Sequence, residues 1–269
     1  MITDRVQRSR QGRQSWRPAG EPFDPSRHEV AEIAGDGADN VCRAFVTTHH
    51  YSASYPAARR RFGLFRDGDQ LAGVAVYSMP WARSLTRAGC PWSNRDTLEL
   101  SRFVLLDEVE GNGETWFLAR CHELLWREGF AAVLSYSDPQ PRTAAGGQLV
   151  FPGHVGTIYQ AHNARYLGRA SSRTLHLFGD GAVFSERDMS KLRRGERGHE
   201  YVQRLLVGRG ATPLQDGECP REWLTRWRAE LCRTIRHPGN HTYLWALHKR
   251  LKKFLPEGQA YPKATFEVA

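Results

Sequence analysis

The stretch from Thr97 to Glu128 constrains this chain more than any other. Leu98, Leu100, Phe103, Val104, Leu105 and Leu106 make a compact apolar strand. A polar turn follows and closes on Gly111-Asn112-Gly113. Phe117, Leu118, Cys121, Leu124 and Leu125 then fall on one face at helical spacing. A strand, a glycine-bearing turn and a helix can present free backbone N–H groups to a phosphate, because glycine accepts positive φ and close approach. No Gly-Lys-Ser/Thr follows, so this is not a Walker loop, and the glycine set of a dinucleotide fingerprint is missing. The plain alternative is a tight strand–helix turn. Arg102 stands out inside the strand, since a charge among apolar neighbours must be paired or face a cleft. Simple alternation puts Glu99 and Arg102 on opposite faces.

On the N-terminal side, Asp39 to Thr48 reads as a short helix with Val41, Ala44 and Phe45 inward. His49-His50-Tyr51-Ser52-Ala53-Ser54-Tyr55-Pro56 follows. Imidazoles, phenols and hydroxyls at this density suit a loop that moves protons or ligates a metal, or a structural loop rich in Tyr and His. Arg66-Asp67-Gly68-Asp69 supplies turn chemistry between two apolar runs and predicts a β-hairpin, its second strand buried on both faces. Met79 to Arg95 reads as a loop.

On the C-terminal side, Phe130 to Ser137 is a further strand, stopped at Asp138-Pro139. Its polar end lies at the carboxyl edge, where open α/β sheets bind ligands. His154 to Arg169 suggests a short helix ending at Gly168, and Thr174 to Ser185 a second hairpin. Trp223, Trp227, Leu231 and Ile235 form a helical stripe, and Lys249, Arg250, Lys252 and Lys253 a basic helical segment.

Charge narrows the partners. The chain has 269 residues, with 38 Lys+Arg against 29 Asp+Glu and a formal net charge of +9. That excess favours a polyanion, nucleic acid first. Five scattered cysteines without a Cys-x-x-Cys pair fit a reducing cytoplasm. No apolar run is long enough to span a membrane, and no apolar signal core opens the chain. Composition divides it into a disordered basic arm over 1–28, a catalytic domain over 29–185 and a basic helical extension over 186–269, packed on that domain.

The element order resembles the GNAT acyltransferase fold. It implies an α/β (α+β) class with a central mixed, mostly antiparallel sheet flanked by helices and a helical C-terminal extension. Within that order HHYSASYP, ELSRFVL, SYSDP and GHVGTIYQAHNARYLGR resemble the Mom family of phage DNA-modification proteins, over roughly Cys42 to Ser185. The resemblance implies conversion of adenine in double-stranded DNA to a carbamoylmethyl-adenine that shields the DNA from restriction, in the host cytoplasm if the chain is phage-encoded. It implies His50, Tyr51, Arg102, Ser135, Asp138 and Tyr159 as catalytic candidates. Val104, Leu105, Gly111, Asn112 and Gly113 become candidates for holding a small-molecule donor. That donor is acetyl-CoA or another acyl or amine-bearing compound, with iron as a candidate metal of unassigned ligands. Glu108 stands where the GNAT pyrophosphate loop opens on glutamine or arginine, a departure that bears on coenzyme A. Two other classes fit the residues: a conventional GNAT acyltransferase on a small amine, a protein or a hypermodified base, and a non-catalytic DNA-binding protein that uses its basic flanks.

Overall fold

The computed structural model describes residues 23–52 and 54–263, together with the backbone of an antiparallel hairpin of β1 (Arg5–Arg10) and β2 (Arg13–Pro18). The rest of the expected basic arm up to residue 22 lies outside the described residues. From there the chain runs through β3 (His28–Glu32), α1 (Ala38–His49), β4 (Arg60–Arg66), β5 (Gln70–Ser78), α2 (Ala82–Arg87), β6 (Thr97–Leu105), α3 (Gly113–Arg127) and β7 (Ala132–Ser137). Two short strands, β8 (Arg142–Thr143) and β9 (Leu149–Phe151), pair with each other. Next come α4 (Thr157–Ala161), β10 (Arg165–Arg169), β11 (Arg173–Phe178), β12 (Val183–Phe184), α5 (Glu186–Arg194), α6 (His199–Val207), α7 (Pro220–Leu231), β13 (Cys232–His237) and β14 (His241–Ala246). A 3-10 helix spans Lys249–Phe254.

The chain divides into two compact units. The first holds a seven-stranded sheet in the order β10-β14-β7-β6-β5-β4-β3, antiparallel except where β6 meets β7. That mixed, mostly antiparallel sheet flanked by helices is the expected fold class. The parallel pair requires a crossover, which α3 supplies. Phe117, Leu118, Cys121 and Leu125 of α3 are fully buried against Leu98, Leu100, Tyr77 and Val133. The β4–β5 hairpin turns through Asp67 at φ 49° and Gly68 at φ 100°, the paired positive values that Asp-Gly provides.

The second unit, Gln140–Val150 with Ser171–Pro238, contains a three-stranded sheet in the order β12-β11-β13 and the helices α5 to α7. Its core gathers Phe178, Phe184, Met189, Leu192, Val202, Leu206 and Trp223. The Ser185 hydroxyl caps α5 by accepting from Asp188 N–H at 3.0 Å.

Several expectations are corrected. The segment from 186 is not an all-helical extension: α7 ends at Leu231, and Ile235 of the supposed helical stripe lies in β13. The β-branched Thr234 and Ile235 pair with β11 there. β14 joins the first unit's central sheet between β7 and β10. The helix read over His154 to Arg169 is only α4, followed by the strand β10, with Asn163 in a left-handed turn at φ 58° between them. Within the expected loop from Met79 to Arg95 lies α2, held by buried Leu85. α1 turns Ala38, Cys42 and Val46 inward and leaves Val41 50% exposed.

Glu99 and Arg102 share a face, contrary to simple alternation. Val76 pairs with Arg102 and Tyr77 with Leu100, so Ser101 is an extra residue, a β-bulge. Leu98 and Leu100 before it, and Phe103 and Leu105 after it, all pack in the α3-side core, while Val104 packs on the α1 side. Only one inserted residue lets both halves of β6 keep that parity. Deleting Ser101 should remove the bulge, leave plain alternation with Leu98, Leu100, Phe103 and Leu105 still on the α3 side, and keep thermal unfolding cooperative. Ser101→Ala should keep the bulge and melt close to the parent. Loss of the cooperative melt in the deletion variant, followed by circular dichroism, would refute this assignment of register.

Candidate active site

The bulge sits where the sheet opens. β6 and β7 pair from Thr97–Ala132 to Leu100–Ser135, and there the pairing stops although both strands run on. The Ser135 hydroxyl donates to the Leu100 carbonyl at 3.0 Å and closes the last rung. Beyond it lie Ser101 and Arg102 on one strand and Tyr136 and Ser137 on the other. The carboxyl edge of a parallel pair, where the two strands part, is a place for a ligand.

Arg102 ties this opening to the loop after α1. Its Nε donates to the Ser54 carbonyl at 2.8 Å, one terminal nitrogen to Ser54 Oγ at 2.7 Å and the other to the Ser101 carbonyl at 2.6 Å. These bonds spend much of its donor capacity on positioning. Burial lowers its pKa, and the nearby Tyr51, Glu99 and Tyr159 act in the opposite direction.

The loop itself is built from local side-chain bonds. His50 Nδ1 accepts from Ser52 N–H at 3.1 Å and lies 2.9 Å from Ser52 Oγ. That leaves the ring proton on Nε2 of the neutral form. Burial, then the charge of Arg102, then His154, push the His50 pKa down to about 3. The His50 and Tyr51 rings lie 4.2 Å apart, and Tyr51 packs on Phe151 at 4.7 Å. The Tyr51 hydroxyl meets His154 Nε2 at 3.2 Å. His154 in turn donates its backbone N–H to the Asp138 carbonyl at 2.8 Å, which places Asp138 beside the pair.

On the α3 side, Tyr159 reaches Ser135. Burial raises the Tyr159 pKa while the Ser135 hydroxyl and the Arg102 charge lower it, so the phenol stays protonated at neutral pH. Its ring packs on Tyr243 and Trp245, each at 5.4 Å. Gly156, at φ 72°, starts α4, and a Cβ there would come within 2.9 Å of both Tyr159 and Tyr243. All six candidates His50, Tyr51, Arg102, Ser135, Asp138 and Tyr159 thus gather around the end of the β6–β7 pairing.

The sequence reading passed over two members of this cluster. His154 is one. Glu99 is the other: its carboxylate accepts from Ser101 Oγ at 3.3 Å, and burial raises its pKa above the usual carboxylate range. Neither lies in a pattern that periodicity could flag. The bulge that brings Glu99 to the face of Arg102 is a property of pairing, not of local spacing.

The donor-loop candidates behave differently. Val104 packs on the α1 side and Leu105 in the α3-side core. Asn112 caps α3 at φ 74°. A Cβ on Gly113 would stand 2.5 Å from Val109 Cγ1 and 3.3 Å from Phe23, so packing alone requires glycine there. Asp107, Glu108, Glu110 and Glu114 crowd the same turn. Glu110 is buried between His28 at 3.7 Å and Arg66 at 3.4 Å. Packing thus accounts for the glycine, and the buried Glu110 carboxylate of the turn is engaged within the fold. Among the described residues no three His, Cys, Asp or Glu side chains gather as a metal site, and iron gains no ligand set. No helix among them is long and apolar enough to cross a membrane.

The sequence model of the Mom protein family matches residues 28–263. No curated protein matches the chain. A tandem GNAT protein from the clavulanic acid biosynthesis pathway shares 10% identity at TM-score 0.42, over 82% of this chain and 99% of that one. An N-acetyltransferase from Staphylococcus aureus Mu50 shares 11% at TM-score 0.37, again over 82% and 99%. A GNAT family N-acetyltransferase from Escherichia coli, in complex with CoA, shares 12% at TM-score 0.35, over 54% and 72%. Likeness at these TM-scores carries no argument about ligand or chemistry.

The site makes His50 a reporter of Arg102. Arg102→Gln should raise the His50 pKa from about 3 but leave it below the ordinary 6.5, because burial is the larger cause. Histidine titration by NMR reads this directly, and an unmoved His50 would separate the two groups. The sign for stability follows. A histidine with a lowered folded pKa stabilises the fold fully above 6.5 and loses that contribution as pH falls toward the folded value. His50 at about 3 and His162 and His241 at about 4 should together steepen acid destabilisation below pH 6.5. Each adds up to about 1.4 kcal/mol per pH unit.

Proposed function

Because this chain belongs to the Mom protein family, we propose that it is a DNA-modifying transferase that converts adenine in double-stranded DNA to N6-carbamoylmethyl-adenine and so protects the DNA from restriction. The observation that carries the reading is the gathering of His50, Tyr51, Arg102, Ser135, Asp138 and Tyr159 around the opened strand pair, linked through the Tyr51–His154 contact and the Arg102–Ser54 bonds.

The exocyclic amine of adenine is a poor nucleophile, since its lone pair is delocalised into the ring. The enzyme must position it, accept its proton and present an electrophilic carbon. Reaching that amine inside a duplex requires extrusion of the base, and the stacked His50, Tyr51 and Phe151 rings offer an aromatic seat. A new N6–carbon bond forms as the bond from the donor's methylene carbon to its leaving group breaks, the leaving group departs with the electron pair, and one N6 proton must leave. We assign that proton to Glu99, whose pKa burial raises, or to Asp138. Tyr159, held as a phenol by burial, and the Tyr51 hydroxyl can donate to a carbonyl oxygen on the donor. Arg102 fixes the loop that carries His50 and Tyr51, and its charge adds to burial in keeping His50 neutral. The donor is a small molecule of the acyl or amine-bearing class. The carbamoylmethyl group joins nitrogen through a methylene carbon, so plain acyl transfer does not make it. The formal net charge of +9 supports a DNA partner.

The test is expression beside a plasmid, followed by digestion of the DNA to nucleosides and mass spectrometry. A deoxyadenosine heavier by the carbamoylmethyl group is expected. Tyr51→Phe, Glu99→Gln and Asp138→Asn should each cut its level at least a hundredfold with melting temperatures within a few degrees of the parent. Unmodified deoxyadenosine from the parent protein would overturn the reading, and parental levels in all three variants would move the chemistry elsewhere.

A further inference from the structure

A cavity of about 750 Å³ lies among α3, β14 and the segment that follows the central sheet's last strand. His122, Trp126, His162, Trp245, Lys249 and Lys252 are among its lining residues. That volume lies within the range of small-molecule sites.

Two of its lining histidines, His122 and His162, carry buried ring nitrogens without a hydrogen-bond partner. His122 is 6% exposed, and its Nε2 is buried without a partner. His162 Nδ1 is buried without a partner as well. The two rings meet edge to face at 5.0 Å, and both pack on Trp245, at 5.3 and 6.1 Å. Burial lowers both pKa values, that of His162 to about 4, so both rings are neutral at pH 7. A neutral imidazole carries one donor and one acceptor. An unpaired buried one costs free energy until something bonds to it.

The walls and mouth add two further features. Trp126 stacks on His248 at 4.7 Å and 16°, a flat aromatic surface at the opening. Arg165 lines the cavity beside Lys249 and Lys252. The one carboxylate in the lining, Glu123, is already engaged by Arg120 at 3.0 Å and by Arg127 at 2.5 Å. The free charge facing the cavity is therefore positive. Aromatic walls, imidazoles that both donate and accept, and a cationic mouth match a flat heteroaromatic ring bearing a phosphate.

We propose that this cavity binds a nucleoside monophosphate, with the base edge at His122 and His162 and the phosphate at Lys249 and Lys252. The site does not depend on the adenine-modification reading. Trp245 links the two, because it also touches Tyr159.

Two of the cavity's tryptophans make the test direct. AMP titrated into the full chain should quench tryptophan fluorescence saturably, and calorimetry should give the same affinity. Adenosine alone and inorganic phosphate alone should each bind about tenfold more weakly or worse. His122→Leu should weaken AMP about tenfold. The surface pair Lys249→Ala and Lys252→Ala, which cannot disturb the core, should do the same. Absence of saturable binding, equal affinity for phosphate and AMP, equal affinity for adenosine and AMP, or unchanged affinity in the lysine pair would each overturn the proposal. Modified deoxyadenosine, read separately, reports on the other site alone.

Discussion

One inserted residue in β6 governs the rest of the molecule. Ser101 lets a single strand serve the α3-side core at both of its ends while turning Glu99 and Arg102 toward the same side. With Ser101 paired in strict alternation instead of bulged, a strand with apolar residues at 98, 100, 103 and 105 would bury half of them and expose the other half. The bulge also falls next to Leu100, where β6 stops pairing with β7. Core packing and the opening of the sheet are therefore set at one place. The same local twist that satisfies the core frees the backbone beyond it for a ligand.

Arg102 turns that geometry into electrostatics. A guanidinium held in place by Ser54 and Ser101 is a fixed charge rather than a searching one. It lowers the pKa of His50, lowers those of Glu99 and Tyr159 against the effect of burial, and is itself pulled back by them. In each case desolvation is the larger cause and Arg102 the modifier, which is the pattern of a site sheltered from water. Groups of different acidity are thus kept side by side: a neutral imidazole, a protonated phenol and a carboxylate that holds its proton more tightly than usual. That mixture suits proton transfer at neutral pH better than a set of identical charges would.

The sequence made the long elements legible because their signals are local. The Asp67-Gly68 hairpin, α3 and β7 follow from turn chemistry and periodicity within a few residues. The six candidate residues came from four short motifs in order, and folding gathers them around one strand opening. What escaped was non-local. β14 reads as a polar-aromatic run, and only its pairing with Ser137 to Ala132 shows it to be a core strand. Ile235 continues a helical stripe in sequence but pairs with Leu175 in a sheet. His154 and Glu99 matter through partners distant in sequence or through the bulge. The histidine pair at 122 and 162 sits on different elements and leaves no spacing to read.

The turn before α3 shows how far a motif can be right about shape and wrong about charge. Its glycine, left-handed asparagine and helix start are the elements of an anion cradle. Yet Gly113 is required by Val109 and Phe23, and Glu110 is buried in an ion-pair network with Arg66 and His28. The buried charge of the turn is thus already engaged within the fold. Anionic recognition in this unit falls to positions where cations face a cavity, and the opened strand pair is left to hydrogen bonds and proton transfer.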